Sequence, residues 1–578
     1  MTAPHPLLGS LADLPDHDTV DVVVIGAGGA GLSAALCAAL EGARVLVVEH
    51  TAWVGGTTAL SAGTAWVPGT HHAAQVNPGD TLADAENYLS NAIGDRTSRA
   101  LRRAFLDAGP HAIAHLEKHT AVQFRPYPKH PDYLSELGGS TLNGRALEPL
   151  PFDGRLLGAL FGVLRNPIPE FTVLGGMMVD RTDINHLLGM TGSWTSFKHS
   201  AKIVLRHALD RLRYPRGTRL VMGNALIARL LHSLAHQPTA QLLLETSVSA
   251  LHTEEGRVTG VSLTQHGARR EIHVRGGVVL ASGGFNRNPA LRQEWLAGVD
   301  ASWCPAAPGH TGQAQSLACD VGASYGQGSA TPAFWAPVSL RKRADGTQAV
   351  FPHFVMDRAK PGVLAVNKAG QRFVNESTSY HLFGLSMQQA PSGPAVPAYL
   401  ICDARALRTY GLGMVRPGGK GLAPFLADGY LTEGQTLEGL AQKLDIDAKG
   451  LLQSAAAIQS YAQAGVDPDF HRGETAYQQN IGDAQWPGSN PCLGALSEAP
   501  FYAVKLYPGD IGAATGLATD SRSRALSTQG EVIEGLYAVG NDMHSIMGGI
   551  YTGPGITIGP GLVFGYLAGR DAAARAKT

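Results

Sequence analysis

Near the start of the chain, three apolar runs, VVVI (22–25), LSAALCAAL (32–40) and VLVV (45–48), are separated by a glycine-rich turn and a short polar link. Short continuous apolar runs bounded by turn residues predict buried strands, and a longer one predicts a helix. Residues 21–49 therefore read strand, turn, helix, strand, the βαβ unit of a parallel sheet. A polar lead containing proline precedes this unit, and a mixed segment follows to about Leu150. Next comes an apolar and basic stretch, then short strands such as GVVLASGGF (277–285). Beyond about Ala333 the pattern loosens into scattered Pro and Gly with helix-like stretches such as LLQSAAAIQSYAQAG. Near Gly512 the first character returns, and GLYAVGN (535–541) followed by GPGITIGPGLVFGYLAG predicts a strand, a glycine-rich loop and a closing helix. The expectation is an α/β protein whose Rossmann-like nucleotide domain is discontinuous, at 1–333 and 513–578. An α+β catalytic domain is inserted at 334–512.

At 578 residues the length supports two to four domains. Lys and Arg number 46 against 47 Asp and Glu, so the net charge of -1 leaves no electrostatic footprint for nucleic acid. Small molecules are the expected partners. The 71 glycines cluster in short runs without a repeat, which suggests backbone lying close to a ligand. Five scattered cysteines, with no Cys-x-x-Cys pair, argue against a disulfide framework or a zinc site. They fit a reducing cytoplasm. The first residues lack the basic segment of a secretory signal, and no apolar run is long enough to span a bilayer.

Within the first unit, Gly26, Gly28 and Gly31 have the G-x-G-x-x-G spacing, and Gly29 lies in the same turn. Such a turn lets a pyrophosphate approach the backbone and the N-terminus of the following helix. Glu49 ends the second strand, where a carboxylate can accept hydrogen bonds from the adenosine ribose. NAD and FAD both satisfy this pattern, and an ordinary glycine turn is the bland alternative. FAD is preferred because GGTTALSAG (55–63) continues the glycine and hydroxyl theme with Gly56, Thr57, Thr58, Ser61 and Gly63. Gly283 and Gly284, then Gly540 and Asn541, add further glycine approach points. The helix opening near Gly555 and Ile556 could aim its positive end at a flavin.

These elements together resemble the fumarate reductase and succinate dehydrogenase flavoprotein family. Within it, three segments resemble the 3-ketosteroid Δ1-dehydrogenases: HPDYLSELGG with Tyr133, RFVNESTSYHLFG with Tyr380, and GGIYTGPGITIGPGLVFGY with Tyr551 and Gly555. The resemblance runs over nearly the whole chain. It implies that three tyrosines and a glycine amide surround the A ring of a 3-ketosteroid, and that a separate acceptor takes the electrons onward. Leu134, Thr552 and AATGL (513–517) depart from the family pattern and bear on substrate choice more than on reaction type.

The implied reaction removes two hydrogens from adjacent carbons beside a ketone. Tyr551 and the Gly555 amide would donate to the ketone oxygen, Tyr380 would take the proton, and the flavin would accept the hydride. An ordinary tyrosine ionises near pH 10, so Tyr380 needs a donor that favours its phenolate, and Tyr133 is the expected one. Two alternatives keep the flavin: dehydrogenation at the 4,5-position, or a fumarate-type reduction that would call on cationic residues such as Arg405, Arg408 or Arg416.

Residues 196–219 carry Phe197, Ala201, Leu205, Ala208 and Leu212 at helical spacing, with Lys198, Lys202 and Arg206 on another face. Like charges four apart are mildly unfavourable on a helix. An anionic membrane surface on the inner face would relieve them, and acidic partners elsewhere in the fold are the alternative. The nearby run LLGALFGVL (156–164) reads as core.

Overall fold

The computed structural model describes residues 5–578 except 356, 391 and 392, so the first four residues of the polar lead lie outside the described part. Strand β1 (Asp18–Ile25) runs parallel to β2 (Val45–Val48), with Val22 opposite Val45 and Ile25 opposite Val48. Between them α1 (Gly29–Leu40) makes the crossover. Both strands are apolar on both faces because helices or loops cover each side, as parallel sheets require. Helix α1 is buried nearly all round, which explains its run of Ala and Leu in place of an amphipathic stripe.

Further along, α2 (Arg181–Leu188) and α3 (Trp194–Asp210) pack together before the chain re-enters the sheet. Strand β3 (Ala240–Leu243) adds to β2 in parallel. Strands β4 (Ser247–Glu254), β5 (Arg257–Gln265) and β6 (Ala268–Leu280) form an antiparallel meander. The second half of β6 then turns apolar and lies parallel to β1, with Val278 opposite Val23. The alternating half of β6 is exposed on one face, and its continuous apolar half is enclosed.

A second sheet is built from β7 (Ala333–Lys342), β8 (Gln348–Pro352), β9 (Val363–Val366), β10 (Ala398–Cys402), β11 (Thr432–Gly434) and β12 (Phe501–Ala513). Its order is β8–β7–β12–β10–β9, with β11 also on β12, and every pairing is antiparallel. Helix α4 (Tyr380–Gln389) packs on β7. The stretch LLQSAAAIQSYAQAG falls in the helix Ala448–Ala464. Ala333 pairs with Ala513, so the segment that carries the second sheet begins and ends at one point, a neck.

After that neck, β13 (Arg524–Leu526) pairs with β14 (Val532–Ala538), and β14 lies parallel to β6 with Leu536 opposite Val278. The last helix, α5 (Ile558–Arg575), lies along α1. Gly561, Gly565 and Gly569 face Ala30 and Ala34, and the Ser33 hydroxyl donates to the Leu562 carbonyl at 3.0 Å. Small residues on both helices let the backbones approach closely.

Candidate active site

A cavity of about 590 Å³ runs from the turn after β1 to the facing edge of the second sheet. At one end Gly26, Gly28 and Gly29 line it, and α1 begins with a Gly28 cap that supplies no side-chain hydrogen bond. The first N–H groups of α1 thus face open space, an arrangement suited to phosphate. A Cβ on Gly28 would meet no protein atom within 4 Å, so it would project into the cavity where a ligand backbone belongs.

Gly31 does not line the cavity. Its role is packing, because a Cβ there would come within 2.0 Å of the Gly26 carbonyl oxygen. Gly31→Ala must therefore open the turn. We expect the purified variant to have lost most of its bound FAD, read as visible flavin absorbance per protein. Retention of full flavin content would show that the turn tolerates the extra carbon.

Glu49 is buried at the end of β2. One of its oxygens accepts from the Ala27 N–H at 3.0 Å, and the other from the Thr51 N–H at 2.9 Å and hydroxyl at 2.8 Å. Lone pairs remain on the carboxylate for ribose hydroxyls. Gly56, Thr57, Thr58, Ser61 and Gly63 continue the wall. Thr57 is fixed by the Ala307 N–H at 2.9 Å and lies 3.3 Å from His310 Nε2. Gly283, Gly540 and Asn541 complete the wall on the opposite side, whereas Gly284 packs against Ala513 and Asn541, and Ile556 is buried away from the lining.

Two residues in this region carry no recognisable signal in the sequence. Asp542 is buried and accepts from Ser282 and from the Gly284 N–H at 3.0 Å, tying the glycine turn after β6 to the loop after β14. Burial pushes its carboxyl up to about 6. His310 is buried in the lining with an unpartnered Nδ1, and desolvation holds its pKa down to about 4. A neutral imidazole there offers one donor or acceptor to a bound group. An open glycine cradle, a helix N-terminus, a strand-end carboxylate and an orphaned imidazole nitrogen together fit FAD.

At the other end, Tyr133, Tyr380 and Tyr551 converge from three distant parts of the chain. The Tyr133 hydroxyl donates to the Tyr380 hydroxyl at 3.3 Å. Ring centroids lie 5.5 Å apart for Tyr133 and Tyr380, 5.0 Å for Tyr380 and Tyr551, and 5.6 Å for Tyr133 and Tyr551. Phe354 packs edge-on to Tyr380, Phe334 edge-on to Tyr551, and Tyr477 lies 4.6 Å from Tyr133. Burial pushes the Tyr133 and Tyr380 hydroxyls well above the ordinary phenol value, and Tyr551 up to about 12.

Neighbouring motif residues hold the three rings. Asp132 accepts from Trp66 Nε1 at 2.8 Å and pairs with Arg145 at 2.8 Å, while the Tyr133 N–H donates to the Thr552 carbonyl at 2.9 Å. The Tyr88 hydroxyl donates to that carbonyl as well, at 2.5 Å. Glu376 is fully buried between Arg372 and Arg472, and it fixes the loop that leads to Tyr380, the first residue of α4. Gly555 has φ +89°, and a Cβ there would sit 2.1 Å from the Thr64 carbonyl oxygen, so no other residue fits. Among the described residues its N–H finds no protein acceptor, and it faces the cavity beside Tyr551.

Apolar or neutral groups dominate the remaining lining, with Phe171, Met178, Phe351 and Val355 among them. His130 is buried, and desolvation lowers its pKa to about 4. Arg181 reaches the lining but is paired to Glu148 at 3.2 Å. Neither Arg405, which donates to the Pro361 carbonyl, nor Arg408, paired with Glu498, nor Arg416, bonded to the Thr172 carbonyl, lines the cavity. Leu134 does not reach it either.

A family described as FAD binding domain matches residues 21–558. The chain is 38% identical to a 4-oxocyclohex-2-ene-1-carboxylate 5-dehydrogenase of Sinomonas cyclohexanicum, covering 96% of this chain and 93% of the relative. Against a 3-oxosteroid 1-dehydrogenase of Mycolicibacterium smegmatis the identity is 36%, over 96% of this chain and 97% of the relative. The crystal structure of the 3-ketosteroid Δ1-dehydrogenase of Sterolibacterium denitrificans, in complex with 1,4-androstadiene-3,17-dione, superposes with a TM-score of 0.89. Its identity is 34%, over 96% of this chain and 100% of that structure.

Proposed function

Since the chain belongs to the FAD-binding flavoprotein family that includes the 3-oxosteroid 1-dehydrogenases, we propose that it is an FAD-dependent oxidoreductase that introduces the 1,2 double bond of a 3-ketosteroid. The observation that carries this reading is the meeting of Tyr133, Tyr380 and Tyr551 with a free Gly555 N–H in one apolar cavity. Bound at the glycine end, FAD supplies a two-electron acceptor for hydride.

The protein residues act on the ketone and on the carbon beside it. In this reading the Tyr551 hydroxyl and the Gly555 N–H donate to the ketone oxygen, where negative charge grows as the neighbouring C–H bond breaks. Tyr380 takes that proton. Tyr133, donating to Tyr380, favours the phenolate form that the step needs. The apolar walls exclude water and strengthen each of these bonds.

A steroid fits better than a small ring acid because the Arg181 guanidinium, a cation close to the tyrosines, is already neutralised by Glu148, and His130 stays uncharged. A fumarate-type reading would need an arginine clamp at the tyrosines, and of the two lining arginines Arg181 is paired with Glu148 while Arg165 donates to the Thr51 hydroxyl at 2.9 Å, beside Glu49 at the glycine end. The proposal keeps the boundaries 1–333 with 513–578 and 334–512, supported by the single neck at Ala333 and Ala513. It also keeps a reducing cytoplasmic setting, supported by five unpaired thiols, with peripheral contact to the inner face of a membrane. No described helix is long and apolar enough to cross a membrane.

An anaerobic screen tests the reaction. A 3-keto-4-ene steroid with a saturated 1,2 bond should bleach the bound flavin and yield the 1,4-diene, with no bleaching by a 4-oxocyclohexanecarboxylate at equal concentration. Bleaching by the small acid alone would reassign the substrate, and formation of a 4-ene from a 4,5-saturated ketone would reassign the bond.

A further inference from the structure

Two adjacent histidines and a glutamate meet away from the cavity. His71 and His72 lie in the loop that follows the strand Ala65–Trp66, and Glu117 stands in the last turn of the helix Arg99–His119. His71 Nε2 lies 3.1 Å from Glu117 Oε2, and His72 Nε2 lies 2.9 Å from both carboxylate oxygens. The three ligand atoms fall within 4.8 Å of one another, and the two imidazole rings stand 4.0 Å apart. None of the three residues lines the cavity.

As a purely hydrogen-bonded cluster the arrangement is crowded. If each Nε2 carries a proton, both rings donate to the same Oε2, and any second proton on the rings sets two positive charges at ring-contact distance. If each Nε2 presents its lone pair instead, three acceptors face one another, and a cation among them satisfies all three. The spacing suits an ion. Ligands about 2.1 Å from Zn²⁺ at tetrahedral angles sit about 3.4 Å apart, so the nitrogen-to-oxygen separations need open only slightly to admit one.

The ligands are also held from behind. The Phe124 N–H donates to Glu117 Oε1 at 2.8 Å and orients the carboxylate, as the partners of metal ligands do. The side chains of His72 and Glu117 are 11% and 9% exposed, whereas that of His71 is 51% exposed, so an ion has a path in and water can take a fourth position. Two imidazoles with one carboxylate select Zn²⁺ and its neighbours over Ca²⁺ and Mg²⁺, which take oxygen ligands. No cysteine takes part, so cysteine spacing carries no signal of this site. A second histidine pair lacks the acid: His232 and His236 have rings 4.5 Å apart, and among the described residues neither has an ion-pair partner.

We propose that His71, His72 and Glu117 bind a single divalent transition ion of the Zn²⁺ type, which clamps the loop after Trp66 to the helix Arg99–His119. The place of the clamp gives it structural weight. The Trp66 N–H donates to the Gly555 carbonyl at 3.1 Å and Trp66 Nε1 to Asp132 at 2.8 Å, so the strand that this loop continues supports two of the motifs around the tyrosines. Gly109 of the same helix packs against the loop, where a Cβ would sit 2.8 Å from Val67 Cγ1. The ion holds two pieces of the fold together and stands apart from the reaction assigned above.

Equilibrium dialysis of the metal-stripped, FAD-loaded protein against Zn²⁺ tests the site, with His72→Ala, Glu117→Gln and the control His236→Ala alongside. Wild type and control should bind a single ion at micromolar free Zn²⁺ or below, and excess Mg²⁺ should not displace it. Loss of a group that merely orients a ligand costs about 10- to 100-fold in metal affinity, so both site variants should weaken binding by at least that much. His71→Ala removes the half-exposed ligand and leaves the buried pair in place, so it should show the same loss even if a buried variant misfolds. Zn²⁺ should raise the unfolding temperature of wild type and control but not of the site variants. Co²⁺ in the site should give visible bands at longer wavelength than the flavin, absent from His71→Ala. Undiminished tight binding by His71→Ala and His72→Ala would overturn the proposal, as would a wild type without micromolar binding. Binding lost in His236→Ala alone would place the ion on the other histidine pair and overturn it too.

Discussion

Replacing Tyr380 by Phe is expected to lower the rate of anaerobic flavin bleaching by about 10⁴-fold while ketosteroid binding survives, because the ring stays and only the proposed base is lost. The packing argument supports survival of the fold. Tyr380 contacts Phe354, Tyr133 and Tyr551 through its ring, and its hydroxyl meets that of Tyr133 at 3.3 Å. The pH dependence provides a second readout. Burial raises the Tyr380 hydroxyl well above 10, so below that value the neutral phenol predominates and the phenolate fraction grows with each unit of pH. Wild-type bleaching should therefore accelerate as pH rises through the neutral and mildly alkaline range, and the residual rate of Tyr380→Phe should be flat. Stopped-flow absorbance across pH, with FAD content checked for each preparation, measures both. Near-normal bleaching by the variant would remove Tyr380 from the base role.

Tyr551→Phe should cost about a hundred- to a thousandfold, the usual loss when one donor to a developing oxyanion is removed. The smaller effect has a structural reason. The Gly555 N–H remains as a second donor, and the strained backbone that presents it does not depend on the Tyr551 hydroxyl. Some affinity for the ketone should go too. Unlike the Tyr380 variant, this one should keep a rate that still rises with pH, since the base is intact. A Tyr551→Phe enzyme with wild-type bleaching would mean that the ketone oxygen lies elsewhere.

The polar and apolar pattern made some parts of this protein legible and hid others, for physical reasons. The β1–α1–β2 unit was readable because the glycine spacing, the apolar runs and Glu49 are all local in sequence. Tyr133, Tyr380 and Tyr551 were found through their motifs, and the structure brings them within hydrogen-bonding or ring-stacking distance of one another. Asp542 and His310 escaped notice because each acts through partners far along the chain, Ser282 for one and Thr57 for the other. Gly31, Gly284 and Ile556 share local motifs with cofactor-lining residues, yet packing, not the cavity, fixes their positions. Helix α3 is the clearest lesson: the spacing of Phe197, Leu205 and Leu212 revealed an apolar stripe, but periodicity carries no direction. Only the tertiary bonds of His207 and Asp210 show that the stripe points outward.

The pairing of α1 with α5 sets a timetable for biosynthesis. Helix α1 leaves the ribosome long before α5, yet Ser33 waits for the carbonyl of Leu562, and β6 waits for β14. Contacts of such separation close slowly, because the loop entropy is lost before they reward it. Tyr551 and Gly555 emerge in that same late stretch, so the nascent protein holds neither a closed cofactor bed nor a reactive site until translation has nearly passed residue 575. Until then the bare apolar side of α1, which carries no charged residue, is open to aggregation. Overexpression that outruns folding should therefore fill inclusion bodies with flavin-free chain, and slower synthesis should recover yellow protein.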